Sequence, residues 1–242
     1  MKLSGKTYLN IKMNPELSIT IPIYNEEKGI EKTVTNLVNE LEKQKINYEL
    51  VLVNHGSWDN TEKVLEKLGK KNKKLKVINL AKNLGYGGGI QYGFEHSEGD
   101  YIGFTCADEE VSAQDVCRIY LALKNSDYDV SKSRRMKRKD GIFRIITTNV
   151  FNSLISLRFD LGLKDINGYP IFMKKEIFPY VKTKELAYLF NLDLLKNIKK
   201  HNHKILEVPI TYKARDYKGG KKIRFKDAIV AFWTLIKYRF ID

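Results

Sequence analysis

Apolar positions in the first hundred residues fall into short solid blocks separated by stretches with helical spacing. LSITIPI, Leu17 to Ile23, is almost continuously apolar and reads as a buried strand. After it, Ile30, Val34, Leu37, Val38 and Leu41 share one helix face, with Asn25 placed to cap that helix and Glu26 and Glu27 in its first turn. ELVLVN (Glu49 to Asn54) predicts a second strand, a helix follows from about Asn60 to Leu68, and LKVINL (Leu75 to Leu80) predicts a third strand. A Gly-rich turn with a short helix then spans Gly85 to Phe94, and YIGFT (Tyr101 to Thr105) predicts a fourth strand. Alternation of apolar strands with helices implies an α/β fold, its central sheet mostly parallel and covered by helices on both faces. Such sheets bind ligands at the carboxyl ends of their strands, near the switch in strand order.

The pattern changes after about residue 130. KSRRMKRKDG, Lys132 to Gly141, is basic and polar and reads as a loop. Ile142 to Leu163 reads as one or two amphipathic helices. A strand at Tyr169 to Met173, a helix around Leu186 to Lys200 and a strand region at Ile205 to Lys213 follow. Pro209 marks that last strand as an edge or a bent one. An aromatic, amphipathic stretch from Phe225 to Phe240 completes the pattern. The expectation is a single domain with a ligand-binding half at about 17–130 and a second half at about 131–242.

Charge adds a partner question. The 242 residues carry a formal net charge of +14, which suits nucleic acid, an anionic membrane face or phosphorylated small molecules, and equally a solvated lysine surface. No nucleic-acid-binding motif accompanies it, so nucleic acid is not an expected partner. Cys106 and Cys117 form neither a disulfide framework nor a zinc signature, which predicts a reducing, cytoplasmic setting. MKLSGKTYLN lacks the apolar core of a signal peptide, and no apolar run approaches the ~20 residues of a membrane span.

Candidate chemistry lies at the strand ends. Strand one ends in PIYNEE (Pro22 to Glu27), strand two in NHGSWDNT (Asn54 to Thr61) and strand four in CADEE (Cys106 to Glu110). Each alone reads as a polar turn; three at the same sheet edge point to a site. Their order, P-x-Y-N-E-E, then G-S-x-D-x-T, then an acidic cluster after strand four, resembles family-2 glycosyltransferases. The resemblance continues through Ser133-Arg134, through Arg144, Thr148 and Asn152, through Asp165 with NGYPIF, and through LEVPITYKARDYKGGKK (Leu206 to Lys222). It runs from about Leu17 to Lys222 and is similar in particular to the polyprenyl-phosphate (dolichol-phosphate type) subgroup.

That resemblance implies a GT-A-type nucleotide-sugar-binding fold. It places Pro22, Tyr24, Glu26, Asn54, His55, Ala107 and Asp108 at the donor, and Asp108 with Glu110 around Mn²⁺ or Mg²⁺. Asp108, Arg215 and Lys222 take the catalytic positions, with Lys221, Gly219 and Gly220 in a lid over the diphosphate. Arg134, Arg144 and Thr148 would hold the phosphate of a polyprenyl-phosphate acceptor at a membrane surface. Three departures stand out: Cys106 replaces the first Asp of the family's D-x-D, and Asn54-His55 replaces an acidic pair. The implied reaction is a single inverting displacement. A phosphate acceptor needs no protein base, whereas a hydroxyl acceptor needs a carboxylate, for which Asp165 and Asp193 are the candidates. A weakened relative that binds nucleotide-sugar without turnover is the alternative that the three departures motivate. Gly85 to Gly93 lacks a phosphate-loop ending and reads as a turn that lets a helix approach the sheet, and His201 and His203 read as surface residues.

Overall fold

The computed structural model describes residues 14–137, 161–184 and 189–211, together with Ile155 and Phe159. In chain order the elements are β1 (Leu17–Ile23), α1 (Ile30–Lys43), β2 (Tyr48–His55), α2 (Thr61–Lys71), β3 (Leu75–Leu80), α3 (Gly85–Glu95), β4 (Tyr101–Phe104) and α4 (Ala113–Lys124). They continue as β5 (Val130–Lys137), β6 (Ile171–Lys174), a short 3₁₀ turn, α5 (Phe178–Val181), α6 (Phe190–Lys200) and β7 (Ile205–Thr211). All seven strands join one sheet in the order β3-β2-β1-β4-β6-β5-β7. β1 to β4 are mutually parallel, β6 runs antiparallel to both β4 and β5, and β5 is parallel to β7. This is the mostly parallel α/β architecture read from the apolar blocks.

Both faces are covered. Tyr101 on β4 meets Tyr120 of α4 edge-on, while Phe104 on the same strand meets Phe94 of α3 and Phe190 of α6. Two positions an odd number apart on a strand point to opposite faces, so α4 and the α3–α6 pair sandwich the sheet. The solid apolar runs follow from this: Leu17, Ile19, Ile21, Leu50 and Leu52 have no access to solvent.

The glycines of α3 let the helix lie directly on β1. A Cβ at Gly93 would come within 2.2 Å of Thr20 Cγ2, and one at Gly87 within 2.2 Å of the Phe190 ring. Gly93→Ala is therefore expected to cost about 1–3 kcal/mol through overpacking, read as a lower urea midpoint with an unchanged denaturant slope.

Three local expectations change. Asn25 does not cap α1; it sits in a left-handed turn at φ 56°, and α1 starts five residues later after Gly29. The basic segment read as a loop begins as a strand: Lys132 to Lys137 lie in β5, paired with β7 and at Lys132 also with β6, while residues 138–141 lie outside the described residues. The strand expected from Tyr169 starts at Ile171, leaving Tyr169 and Pro170 in the approach to it. Pro209 lies on β7, an edge strand where its missing N–H costs nothing, beside an irregularity in register between Arg135 and Lys137.

No helix among the described residues is long and apolar enough to cross a membrane. Of the two amphipathic stretches, Phe225 to Phe240 lies outside the described residues. In the other, Ile155 is fully buried and Phe159 packs against the core, with Lys196 Nζ 4.8 Å from its ring centre.

Candidate active site

The parallel strands deliver the β1, β2 and β4 ends to one edge of the sheet, with β1 flanked by β2 and β4. The first two ends are stitched together by backbone. Asn25 N–H donates to Ser57 Oγ at 2.9 Å, Glu26 N–H to Thr61 Oγ1 at 2.9 Å and Glu27 N–H to Asp59 Oδ2 at 3.3 Å. In return Asn25 Oδ1 accepts from Trp58 N–H at 2.9 Å, and Glu27 Oε2 accepts from Asn60 N–H at 3.0 Å. Ser57, Asp59 and Thr61 thus accept three consecutive N–H groups that a sharp turn would otherwise leave unpaired. Asp59 also receives Thr61 N–H at 3.0 Å, so it serves the start of α2 as a cap does. What these acceptors hold is the turn that carries Tyr24 and Glu26.

His55 and Asn54 are both buried at the end of β2. His55 Nδ1 lies 3.1 Å from Asn83 Oδ1, which also accepts Gly85 N–H at 2.8 Å. An atom that accepts from Gly85 is the amide oxygen, so Nδ1 carries the imidazole proton and Nε2 is the acceptor. Burial holds His55 below its ordinary pKa, against a smaller opposing effect of Asn83, which keeps the ring neutral. Its ring centre is 6.0 Å from that of Tyr24, which is well exposed. Asn54 Nδ2 donates across to Asn79 Oδ1 at 2.9 Å, and its own Oδ1 is a buried acceptor with no hydrogen-bond partner among the described residues.

After β4 the chain turns through Ala107 to Glu110. Ala107 is buried and its carbonyl accepts from Thr33 Oγ1 at 2.9 Å, tying the turn to α1. Glu109 takes a left-handed φ of 54° and points away, to Lys32 at 2.6 Å and Asn36 at 2.9 Å. Asp108 and Glu110 consequently point inward and converge. The Tyr169 hydroxyl lies 3.2 and 3.1 Å from the two Asp108 oxygens and 3.0 Å from Glu110 Oε2. Ser112 then caps α4, accepting Asp115 N–H at 3.1 Å. Tyr169 is the residue that sequence reasoning missed; its only signal was a position between Gly168 and Pro170 in the Asp165 block.

Cys106 precedes this pair. Burial, then the Asp108 and Glu110 charges, push its thiol well above the ordinary range, so it is protonated and no competitor for a hard cation. Among the described residues no three His, Cys, Asp or Glu groups gather as a metal cluster. A small divalent cation bound through one or two carboxylates, with substrate phosphates and water supplying the rest, requires no third. Asp108 and Glu110 fit that donor set: two hard carboxylates that converge on one phenol hydroxyl.

On the second half, Arg134 sits half-buried on β5 opposite Pro209 and makes no hydrogen bond or ion pair among the described residues. The neighbouring Arg135 takes the carboxylate instead, clasping Asp165 at 2.7 and 2.6 Å. Asp165 is therefore no proton acceptor: burial alone would raise its pKa, but Arg135 and then Lys132 bring it below the ordinary carboxylate value. Asp193, buried in the first turn of α6, accepts Lys184 N–H at 3.1 Å. His201 and His203 lie before β7, at the opposite edge of the sheet, with His203 3.7 Å from Asp129. Arg144, Thr148, Arg215, Gly219, Gly220, Lys221 and Lys222 lie outside the described residues.

Residues 18–181 match the family model described as glycosyl transferase family 2. The chain belongs to glycosyl transferase family 2. Over 142 residues it is 30% identical to an undecaprenyl-phosphate 4-deoxy-4-formamido-L-arabinose transferase of Proteus mirabilis, a match that takes in 58% of this chain and 43% of that protein. The chain thus spans less than half the length of this relative. Among solved structures it superposes on glucosyl-3-phosphoglycerate synthase of Mycobacterium tuberculosis in complex with Mn²⁺, UDP and phosphoglyceric acid. There the TM-score is 0.71 at 19% identity, over 92% of this chain and 78% of the other. The same synthase with Mg²⁺ and UDP gives a TM-score of 0.71 at 16% identity, over 92% and 79% of the two chains. These likenesses show a shared GT-A-like fold for this family 2 chain.

Proposed function

We propose that this family 2 transferase moves a sugar from a nucleoside-diphosphate donor to a polyprenyl phosphate at a membrane surface, with inversion and with help from Mn²⁺ or Mg²⁺. The observation that carries the reading is the convergence of Asp108 and Glu110 at the carboxyl edge of the parallel strands, next to the Tyr24–Glu26 turn. Bound there, a divalent cation supplies charge neutralisation for the departing diphosphate. The chain's own part is to hold both carboxylates inward and to present Tyr24 and Glu26 to the nucleoside. Arg215 and Lys222 are proposed to close over the diphosphate.

Two observations favour a phosphate acceptor over a hydroxyl. Asp165 and Asp193, the carboxylates that would take a hydroxyl proton, are engaged by Arg135 and by the Lys184 backbone. Arg134 meanwhile offers on β5 a guanidinium with no partner among the described residues, the group suited to a phosphate. The named activity of the Proteus relative supports the same class. Cytoplasmic location, on the inner membrane face, belongs to this proposal.

Calorimetric titration of UDP and of GDP, each with and without Mn²⁺, is the deciding experiment, followed by transfer to undecaprenyl phosphate in detergent. Metal-dependent binding of one nucleotide and lipid-dependent transfer are expected. Binding with transfer only to a soluble hydroxyl would replace the acceptor. Folded protein that binds neither nucleotide would make this a weakened relative, the reading that Cys106, Asn54 and His55 favour.

A further inference from the structure

The segment that ends in Tyr169 is fastened to the sheet far more heavily than a connecting loop requires. At its start, Lys164 N–H and Asp165 N–H donate to the two oxygens of Glu207 on β7, at 2.9 and 3.0 Å. The Asp165 carboxylate takes three bonds from Arg135 on β5: backbone N–H at 3.0 Å, Nε at 2.7 Å and Nη2 at 2.6 Å. Lys132, fully buried on the same strand, donates to the Asp165 carbonyl and to Ser133 O at 3.1 Å, and lies 3.7 Å from Glu207. At its end, Ser133 Oγ donates to the Tyr169 carbonyl at 2.7 Å, and Ser133 N–H to that of Pro170 at 3.0 Å. Between the anchors the chain runs so close to β5 that a Cβ at Gly168 would lie 2.4 Å from Ser133 O.

Four buried or nearly buried charges are a costly way to hold a loop, since each must be desolvated. What the arrangement secures is position: planar bidentate pairing fixes Asp165 in two directions, and Tyr169 follows four residues on. We propose that Tyr169 is a positioning residue of the metal site, its hydroxyl holding Asp108 and Glu110 as one preassembled pair. In the same proposal, the Lys132–Arg135–Asp165–Glu207 network serves that site by fixing where Tyr169 stands. This rests on the reading of Asp108 and Glu110 as the metal carboxylates. Without the hydroxyl the two carboxylates lose the contact they share, and each metal ion bound must work against more of their mutual repulsion.

The test is Mn²⁺ affinity by calorimetry in the presence of saturating UDP, for wild type, Tyr169→Phe, Asp165→Asn and the double variant, each checked by thermal melting. Tyr169→Phe removes one oxygen and keeps the ring packing. It is expected to weaken Mn²⁺ about tenfold, as loss of an outer partner does at other metal sites, with the melting temperature and metal-free UDP affinity unchanged. Asp165→Asn is expected to weaken Mn²⁺ as well, and to add nothing in the Tyr169→Phe background, because both act through one hydroxyl. If Asp165→Asn does not fold, Ser133→Ala takes its place in the cycle. Unchanged affinity in Tyr169→Phe overturns the proposal while leaving the metal site standing. Additive losses overturn the role of the network. Wild type that binds no Mn²⁺ overturns the metal reading and this inference with it.

Discussion

Asp108→Ala is expected to abolish the Mn²⁺ dependence of donor binding and to lower transfer by about a thousandfold, the upper range for losing one preorganised electrostatic group. The protein should remain folded. Asp108 is buried and meets Glu110 at the Tyr169 hydroxyl, so its removal relieves a like-charge contact. The informative control is one residue away. Glu109 is turned outward by its left-handed backbone and pairs with Lys32, whose side chain is 61% exposed. Glu109→Gln should therefore leave transfer and metal affinity within twofold, because an exposed ion pair contributes about 0–1 kcal/mol. Initial rates with varied Mn²⁺ read both variants. Equal losses in the two would mean that the turn as a whole, rather than the inward pair, carries the effect.

The contrast between Asp108 and Glu109 marks the limit of what the sequence alone discloses. Periodicity located the strands because β1, β2 and β4 are buried on both faces, and a short, solid apolar run between turn residues suits a doubly covered strand. The site edge followed, since parallel strands deliver their polar ends together. Which residues at that edge face a ligand was not legible. Ser57, Asp59 and Thr61 bind the backbone of residues 25 to 27, a pairing across more than thirty residues that no local pattern records. Asp108, Glu109 and Glu110 are three adjacent acids separated by one φ angle.

The second half was misread for a related reason. A run of Lys, Ser and Arg looks solvated, and segment 132–141 reads as a loop by composition. Its first residues are a central strand because their charges find partners from Asp165 and Glu207, distant in sequence. Arg134 and Arg135 differ by one strand position, which decides that Arg135 is the structural clasp, whereas Arg134 has no partner among the described residues. Tyr169 carries no signature either: an aromatic beside a proline is ordinary until the network shows where its hydroxyl is held.

Asp165→Ala should produce the largest stability loss of any single change in this region, about 3–5 kcal/mol, the cost of leaving a buried partner charge uncompensated. The pH dependence of that loss is diagnostic. Asp165 titrates below an ordinary carboxylate, so its contribution is complete above the unfolded value near ~3.9 and disappears as pH falls through the lower folded value. Lys132 acts with the opposite slope. Burial first, opposed by Asp165 and Glu207, brings it down to about 8. The unfolded chain then binds more protons than the folded one above that pH, and stability gains from this group as pH rises. Removing Asp165 takes away the main force holding Lys132 up, so in the variant the lysine becomes neutral at lower pH and sheds its burial cost earlier. The deficit relative to wild type should thus be greatest in mildly acid solution, shrink below the carboxylate range, and shrink again as pH approaches 8. Urea unfolding of both proteins across that range measures it. A deficit that stays flat with pH would mean that Asp165 contributes through packing and backbone hydrogen bonds, and that Lys132 and Arg135 find other counter-ions.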